Sequence, residues 1–225
     1  MYVVKRSGQR TRATLVAVAV VLGLQLISAG QPPSALPPLP YEDDGACPFE
    51  GCSYREWVAT APVTIRTERR DGAPVAFRVR AGQRVTALTG VVVTRRAGRV
   101  RFHEAAMLAS LSGPIQVAPG DTVYLLTYQG EGFSKAWFKG RVYTDVDITD
   151  YIGGGCAATK SAAACAGRLI EPWQADWWVR VRNQAGREGW TRETQKFDGK
   201  DALASARRRL IELNQIAAGV GTHGN

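Results

Sequence analysis

Histidine is scarce in this chain, with only His103 and His223 among 225 residues. A serine or cysteine hydrolase needs a general base beside its nucleophile, and that base is most often histidine. His103 ends the segment RVRFHEA and is expected at a strand end on the surface, whereas His223 lies in a GTHGN tail that we expect to be mobile. The sequence therefore predicts no nucleophile–base pair and no enzymatic activity.

Cysteine is limited to four residues, which fall into two local pairs: Cys47 and Cys52 in CPFEGC, and Cys156 and Cys165 in CAATKSAAAC. Neither pair has C-x-x-C spacing and both histidines lie far from them in sequence, so no metal site is predicted. The segment GGGCAATK lacks the G-K-[ST] ending of a phosphate loop, and no cofactor is predicted. In an exported protein such pairs are typical of disulfides, so we predict Cys47–Cys52 and Cys156–Cys165.

A long apolar run is also missing. The apolar segment near the start, ATLVAVAVVLGLQLI at residues 13–27, has fifteen residues, fewer than the roughly 20 that a membrane-spanning helix needs. Four basic residues precede it and SAG follows it, which is the layout of a secretory signal peptide covering residues 1–30. An uncleaved anchor is the alternative. We predict an exported protein, periplasmic or extracellular, that meets the membrane only transiently through this segment.

Acidic residues are fewer than basic ones. The chain has 29 Lys and Arg against 20 Asp and Glu, and residues 1–30 hold four of the basic and none of the acidic residues. The rest of the chain therefore has 25 against 20, a net charge of +5. For an exported protein this favours anionic envelope surfaces as partners and gives little access to nucleic acid. A solvated surface that is merely basic is the alternative.

The remaining sequence predicts an all-β protein. Residues 31–45 are rich in proline and predict a linker. From Trp57 to Arg192 apolar and polar residues alternate with period two, and glycines interrupt them frequently, which indicates short antiparallel strands. A shared pattern, V-x-x-G-x-x-V-x-x-L-T, recurs at residues 79–89 and 117–127. It favours two similar small barrels, and a chance match in a Val-rich chain is the alternative.

The repeated pattern assigns roles to its residues. The two glycines are expected in turns that lead into strands, and the apolar positions that follow are expected inside the barrels. These residues are Gly82, Val85 and Leu88 in the first copy and Gly120, Val123 and Leu126 in the second.

The segment from Trp178 to Trp190, W-x-x-V-x-x-x-x-G-x-x-G-W, resembles the closing hairpin of bacterial SH3-like domains. The resemblance implies two tandem SH3-like barrels, at residues 46–112 and 113–196, the first of them degenerate because GRVRFHEA lacks the G-W pair. ACPFEGCSYREW also resembles the opening of exported bacterial proteins with such barrels. In the hairpin, Val179 and Val181 are expected to face the core with Trp178 and Trp190, while Arg180 and Arg182 face water.

Residues 197–225 predict a C-terminal helix followed by a flexible tail. Asp198 is expected to cap the helix and Gly219 to end it. Its apolar positions recur at helical spacing, at Leu203, Ala206, Leu210, Leu213 and Ala217. We expect this helix to pack on the second barrel, and a partner-binding helix with Arg207–Arg209 on its polar side is the alternative.

Aromatic residues are dense in the second half, more than one small barrel can bury. The candidate ligand-binding residues are three tryptophans that stack on glycan rings and three cations that meet carboxylates: Trp137, Trp173, Trp177, Lys135, Arg180 and Arg182. The alternative is that all of these aromatic residues lie in a core or cover the contact between the two barrels. The predicted function is non-catalytic binding of a cell-envelope polymer, peptidoglycan or another anionic glycan.

Two other functions stay open. The first is a structural or adaptor protein that docks an envelope protein partner. The second is a hydrolase based on the acidic cluster YTDVDITDY, in which alternation places Asp145 and Asp147 on one strand face near Asp150. A solvated strand face is the simpler explanation of that cluster.

Overall fold

The computed structural model describes residues 36–151, Cys156 and residues 165–204. The predicted signal peptide, the first prolines of the predicted linker, the helical positions beyond Ala204 and His223 lie outside the described residues. Within the ranges just given, no helix is both long enough and apolar enough to cross a membrane.

Strands dominate the described chain, which confirms the all-β prediction. They are β1 (Tyr41–Asp44), β2 (Glu56–Ala59), β3 (Val63–Arg66), β4 (Val75–Val79), β5 (Arg84–Arg96), β6 (Gly98–Phe102), β7 (Ala106–Leu108), β8 (Ile115–Val117), β9 (Thr122–Gly130), β10 (Phe133–Phe138), β11 (Arg141–Asp147), β12 (Gly167–Glu171), β13 (Gln174–Arg182), β14 (Glu188–Thr191) and β15 (Phe197–Asp198). Single-turn 3-10 helices span Thr149–Tyr151 and Thr194–Lys196.

The first sheet is built from the two ends of the described chain. Its strand order is β15-β2-β5-β13-β14-β3-β4, with β1 also paired to β5. The long strand β5 pairs with β2 and β1 through different parts of its length, and antiparallel β13 pairs with it from Gln174 to Arg182. The hairpin β13–β14 thus joins β5 on one side and β3 on the other.

The second sheet comes from the middle of the chain. Its order is β11-β10-β9-β6-β12, and β7 and β8 form a separate hairpin. All of these strands lie between β5 and β13 in sequence, and both sheets belong to one compact unit, Pro33–Asn225. The sheets therefore do not follow the predicted division into residues 46–112 and 113–196, because β6 pairs in the second sheet and β13–β14 pair in the first.

Each sheet has its own apolar core. The first core includes Trp57, Ile65, Phe77, Val179, Val181 and Phe197, and the second includes Val100, Phe102, Leu108, Val123, Phe138 and Ile148. The hairpin residues behave as predicted, since Val179 and Val181 are fully buried while Arg180 and Arg182 are exposed. Their burial explains why the hairpin belongs to the first sheet: β13 completes that core.

The two hairpin tryptophans differ in burial. Trp178 is only 2% exposed and packs with Val91 and Val93 on the outer face of the first sheet, which confirms that it is buried. Trp190 is half-buried beside this cluster, with the guanidinium carbon of Arg69 at 5.5 Å from its ring centre. Trp190 thus packs against the Val91, Val93 and Trp178 cluster and is less buried than Trp178.

The repeated pattern marks equivalent places in the two sheets. Gly82 and Gly120 have φ of 80° and 93°, and they lie in the turns that precede β5 and β9. Positive φ is accessible to glycine without steric cost. Val85, Val123 and Leu126 are buried as expected, while Leu88 is only partly buried at an irregularity in the pairing of β5 with β13.

Two boundaries differ from the sequence-based expectation. Tyr41–Asp44, assigned to the linker, form β1, because their backbone pairs with Val91–Thr94 of β5. Asp198, expected to cap the helix, lies in β15, and residues 202–204 begin a helix in which Asp201 Oδ1 accepts a 2.9 Å hydrogen bond from Ala204 N. The cap therefore lies three residues later than predicted.

Both disulfides are present. Cys47–Cys52 and Cys156–Cys165 have Cα–Cα distances of 5.5 and 5.7 Å, and the described part of the chain has no free cysteine. The Cys47–Cys52 disulfide closes a loop that pairs with the C-terminal segment, since Cys52 forms an isolated β-bridge with Asp201. Two bridges fit a protein of an oxidising compartment.

Candidate ligand groove

Trp177, a predicted ligand-binding residue, is partly buried and packs against the first core. Its ring lies 5.8 Å from that of Trp57 and 5.7 Å from that of Phe49, both edge-on. Its indole N–H donates a 3.2 Å hydrogen bond to the hydroxyl of Tyr54, whose own proton is donated to the carbonyl of Ala46. These contacts hold the Trp177 ring in place against the first core.

The same cluster gives a pH dependence. Burial raises the pKa of Tyr54 to about 12, with the Trp177 hydrogen bond opposing and the charge of Asp43 adding to the shift. The unfolded chain releases this proton near pH 10, so the stability that the protonated hydroxyl contributes is complete below pH 10 and is lost as the pH rises toward 12. We expect the melting temperature of the protein to fall across that window.

The control is Tyr54→Phe, which removes the titrating group. Its melting temperature should start lower, because Trp177 loses its acceptor, but should fall less between pH 10 and 12. Thermal melts by circular dichroism measure both proteins. Parallel curves would mean that Tyr54 does not carry the effect.

The other two candidate tryptophans lie on opposite faces of the second sheet. Trp137 alternates along β10 with Ala136 and Phe138, which are in the second core, so its side chain is on the far face. Trp173 is 44% exposed. A Cβ atom placed on Gly98 would point toward Leu125 of the second core and would lie 3.4 Å from Cε3 of Trp173, so Trp173 is on the core side of this sheet. The three tryptophans therefore do not line one groove.

The three candidate cations have partners within the protein. Lys135 Nζ lies 2.5 Å from Asp43 Oδ1, and Arg180 and Arg182 each lie 2.7 Å from a carboxylate oxygen of Glu188. The Lys135 pair is partly buried and joins β10 to β1. The two arginines are about half exposed and share the partly buried carboxylate of Glu188.

The backbone of the acidic cluster departs from the regular alternation that the sequence predicted. The pairing of β10 with β11 is irregular between Ser134 and Ala136, and Asp145 has a φ of 48°. This irregularity breaks the alternation that was expected to align Asp145 with Asp147. In the described ranges no group of three or more His, Cys, Asp or Glu side chains could hold a metal ion.

What the structure brings together is a groove at one end of the first sheet, which we call the turn groove. The turn between β4 and β5 forms one wall and the turn between β13 and β14 forms the other, around a cavity of about 420 Å³. Its lining residues are Arg78, Val79, Gly82, Gln83, Arg84, Val85, Asn183, Gln184 and Ala185. This volume is within the range of about 300–1,000 Å³ typical of ligand sites.

Each turn engages the side-chain oxygen of one amide residue in a hydrogen bond with its own backbone. Gln83 Oε1 accepts a 2.7 Å hydrogen bond from Arg80 N, and Asn183 Oδ1 accepts a 2.9 Å hydrogen bond from Arg187 N. Each amide nitrogen remains to donate, since an Asn or Gln side chain carries two N–H groups. The local folding of both turns therefore makes the turn groove rich in hydrogen-bond donors.

The guanidinium groups of Arg78 and Arg84 add further hydrogen-bond donors to the turn groove. Arg78 donates a 3.2 Å hydrogen bond to Thr64 Oγ1, and no ion pair among the described residues includes it. Arg84 lies 2.5 Å from Glu56 Oε1, with both side chains more than half exposed. None of the nine lining residues carries a carboxylate. The turn groove is therefore suited to an anionic or acceptor-rich ligand.

Sequence reasoning missed these residues, although a signal was present. The segments RVRAGQR at 78–84 and RVRNQAG at 180–186 share R-V-R followed by amide and glycine residues. The similarity shows two basic turns, but only the pairing of β13 with β5 places them beside each other.

Comparisons of the chain with protein-family models, with curated proteins and with solved structures find no match.

Proposed function

We propose that the protein is an exported, non-catalytic module that binds an anionic polymer of the cell envelope, peptidoglycan or another anionic glycan, in the turn groove. The observation that carries this proposal is the lining of the groove: two arginines, three amide side chains and no carboxylate. Donors of this kind, of which the guanidinium is the strongest, recognise carboxylate and phosphate groups.

The neighbouring surface supports binding of an extended polymer rather than of a small anion. Arg180 and Arg182 lie on the outer face of β13, which leads directly into Asn183 of the turn groove. Each guanidinium is about half exposed and has further N–H groups besides the one bonded to Glu188, which can meet a ligand carboxylate. Basic groups thus continue along the sheet from the groove.

We also propose that the first sheet is a single SH3-like barrel, formed from both ends of the described chain. Strand order supports this: the hairpin β13–β14 is followed by a one-turn 3-10 helix and by β15, which returns to pair with β2. The second sheet is then an insertion between β5 and β13 rather than a second SH3-like barrel. Export is supported by the two disulfides and by the predicted signal peptide.

The binding proposal is tested by removing the two guanidinium groups of the turn groove. We expect the double variant Arg78→Gln/Arg84→Gln to lose at least about 90% of binding to purified peptidoglycan sacculi, because two charge-assisted hydrogen bonds contribute roughly 1.5–3 kcal/mol each. Cosedimentation of the protein with sacculi measures the bound fraction.

The matched control is Arg101→Gln/Arg168→Gln, which lowers the net charge equally. Arg101 and Arg168 are exposed cross-strand neighbours on the second sheet, and neither has an ion pair among the described residues. The control should bind like the wild type. Equal losses in both variants would mean that net charge alone, rather than the groove, decides binding.

A second candidate function, docking of an envelope protein, is favoured by one apolar region. Ile170 on edge strand β12 and Trp173 just after it are 49% and 44% exposed, and exposed apolar residues close together are a mark of interaction sites. Photocrosslinking from position 170 in intact envelopes should then give one defined protein adduct. Position 107, where Met107 is exposed on a different hairpin, is the control and should not give it.

A further inference from the structure

The hairpin of β7 and β8, with the residues that flank it, has no charge, and we call residues 105–120 the apolar hairpin. Its sequence, AAMLASLSGPIQVAPG, has no Asp, Glu, Lys, Arg or His, in a chain of which 22% is charged. Only Gln116 is polar among its exposed residues, which are Ala105, Met107, Ala109, Leu111, Pro114, Gln116, Ala118, Pro119 and Gly120. Exposed apolar residues close together are a mark of interaction sites.

Leu111 lies in the turn that closes the apolar hairpin. It is 80% exposed, the highest value among the large hydrophobic residues of the described chain that are exposed, and Met107 on β7 is 55% exposed. The turn is closed by a 3.2 Å hydrogen bond from Gly113 N to the carbonyl of Ser110. Turns favour Gly, Pro, Asn, Asp and Ser, so the folding of this turn does not require a leucine at its most exposed position.

The polar groups of this turn are bonded within the protein. Ser110 Oγ donates a 2.5 Å hydrogen bond to the carbonyl of Gly113. Leu111 N donates to the carbonyl of Thr144 at 3.1 Å, and Ser112 Oγ accepts from Thr144 N at 3.1 Å. A backbone group without a partner is costly in lipid. These bonds lower the cost of moving the turn from water into an apolar phase.

Arg141 supplies a cation beside the turn. Its Nη2 donates a 3.1 Å hydrogen bond to the carbonyl of Ser112, and its Cζ lies 4.8 Å from the ring centre of Tyr143. No ion pair includes Arg141 within the ranges that the structure describes, so most of its five N–H groups remain for a phosphate. The hydroxyl of Tyr151 donates a 2.7 Å hydrogen bond to the carbonyl of Met107, and tyrosine is enriched where membranes meet water.

We propose that the apolar hairpin docks on a phospholipid surface, with Leu111 and Met107 among the acyl chains and Arg141 on headgroup phosphates. An apolar turn beside a cation is complementary to this surface, in which hydrocarbon lies directly beneath phosphate groups. A protein partner fits less well, because Gln116 is the only exposed polar side chain of the hairpin and protein interfaces use about ten hydrogen bonds. Two inserted side chains and one cation give a reversible contact, no stronger than that of a single acyl chain.

This surface adds a second contact to the proposed function and does not depend on it. The apolar hairpin shares no residue with the turn groove. The groove variant Arg78→Gln/Arg84→Gln should therefore bind vesicles like the wild type, and failure at one surface is measured separately from failure at the other.

The test is cosedimentation with vesicles of phosphatidylcholine and phosphatidylglycerol in equal amounts, at millimolar lipid. The chain from residue 31 is used, because it lacks the apolar segment 13–27 and contains all of the compact unit Pro33–Asn225. We expect saturable binding that falls by no more than about fivefold at about 1 M salt, since salt screens the contribution of Arg141 and not the apolar one. Leu111→Ser should weaken binding at least about tenfold.

The matched control is Leu36→Ser, the same change at a leucine that is 60% exposed outside the apolar hairpin, and it should bind like the wild type. A local measurement uses the ¹⁵N-labelled protein and vesicles with a spin label on the acyl chain. The amide signals of residues 107–113 should broaden before any others.

Three results would overturn the proposal. They are no vesicle binding by the wild type, which is also what docking on a protein would give, unchanged binding by Leu111→Ser, and broadening that begins outside the apolar hairpin.

Discussion

A chain that ends at Pro172 is expected to lose the fold of the first sheet completely while it keeps all five strands of the second sheet. The reason is the strand order, in which β13 pairs along nine residues and joins β5 to β14 and β3. Without it, β3–β4 becomes an isolated two-stranded piece, which is only marginally stable in water, and β5 keeps only the four-residue strands β1 and β2. The first core also loses Val179, Val181 and Phe197.

Amide hydrogen exchange measures this outcome strand by strand. Protection should disappear in β2 to β5 and persist in β9 and β10. A chain that ends at residue 204 is the control, since it keeps every described strand and should retain protection in both sheets. Persistent protection of β2 to β5 in the shorter chain would contradict the interleaved topology and favour a first barrel that folds from residues 46–112 alone.

Trp57→Ala is expected to lower the free energy of unfolding by roughly 3–5 kcal/mol, because removal of a buried tryptophan side chain leaves a large cavity. Trp57 is 0% exposed and lies against the rings of Trp177 and Phe197, at 5.8 and 5.7 Å. Its indole N–H also donates a 3.1 Å hydrogen bond to the carbonyl of Ser53. Urea denaturation measures the change.

Trp190→Ala is the matched control in the same sheet. Trp190 is half-buried, with Arg69 over its ring and one buried cluster beside it, so its removal should cost less than about 2 kcal/mol. Equal losses for the two variants would show that Trp190 is as much a core residue as Trp57.

The sequence was sufficient where local patterns determine the structure. Alternation with period two predicted the strands, and it placed Val179 and Val181 inside and Arg180 and Arg182 outside. The two disulfides followed from the short separation of each cysteine pair. Each of these features depends on residues within about ten positions of one another, and local sequence carries that information.

The partner of each strand could not be predicted in the same way. Alternation states which side chains share a face, but not which strand lies alongside. The hairpin at residues 174–191 was therefore assigned to the strands next to it in sequence, although it pairs with β5, which precedes it by about eighty residues. The hairpin pairs with β5 because this pairing buries Val179 and Val181 in the first core.

The binding site that the structure indicates also differs from the predicted one because the sequence does not reveal which strands pair. Trp177 and Lys135 are residue types typical of a glycan site, but in the fold Trp177 packs against the first core and Lys135 forms an ion pair between the sheets. The turn groove has no aromatic residue and is made of two turns that are distant in sequence. Only the register of β13 against β5 brings them together.

The central claim is that an anionic polymer binds in the turn groove, and the salt dependence of binding tests it most directly. Raising the ionic strength from about 0.1 M to about 1 M shortens the Debye length from about 10 Å to about 3 Å. The affinity of the wild type for sacculi should fall at least about tenfold, while the residual binding of Arg78→Gln/Arg84→Gln, which retains fewer cationic contacts, should fall by a smaller factor. Wild-type binding that is equally strong at both ionic strengths would contradict the claim.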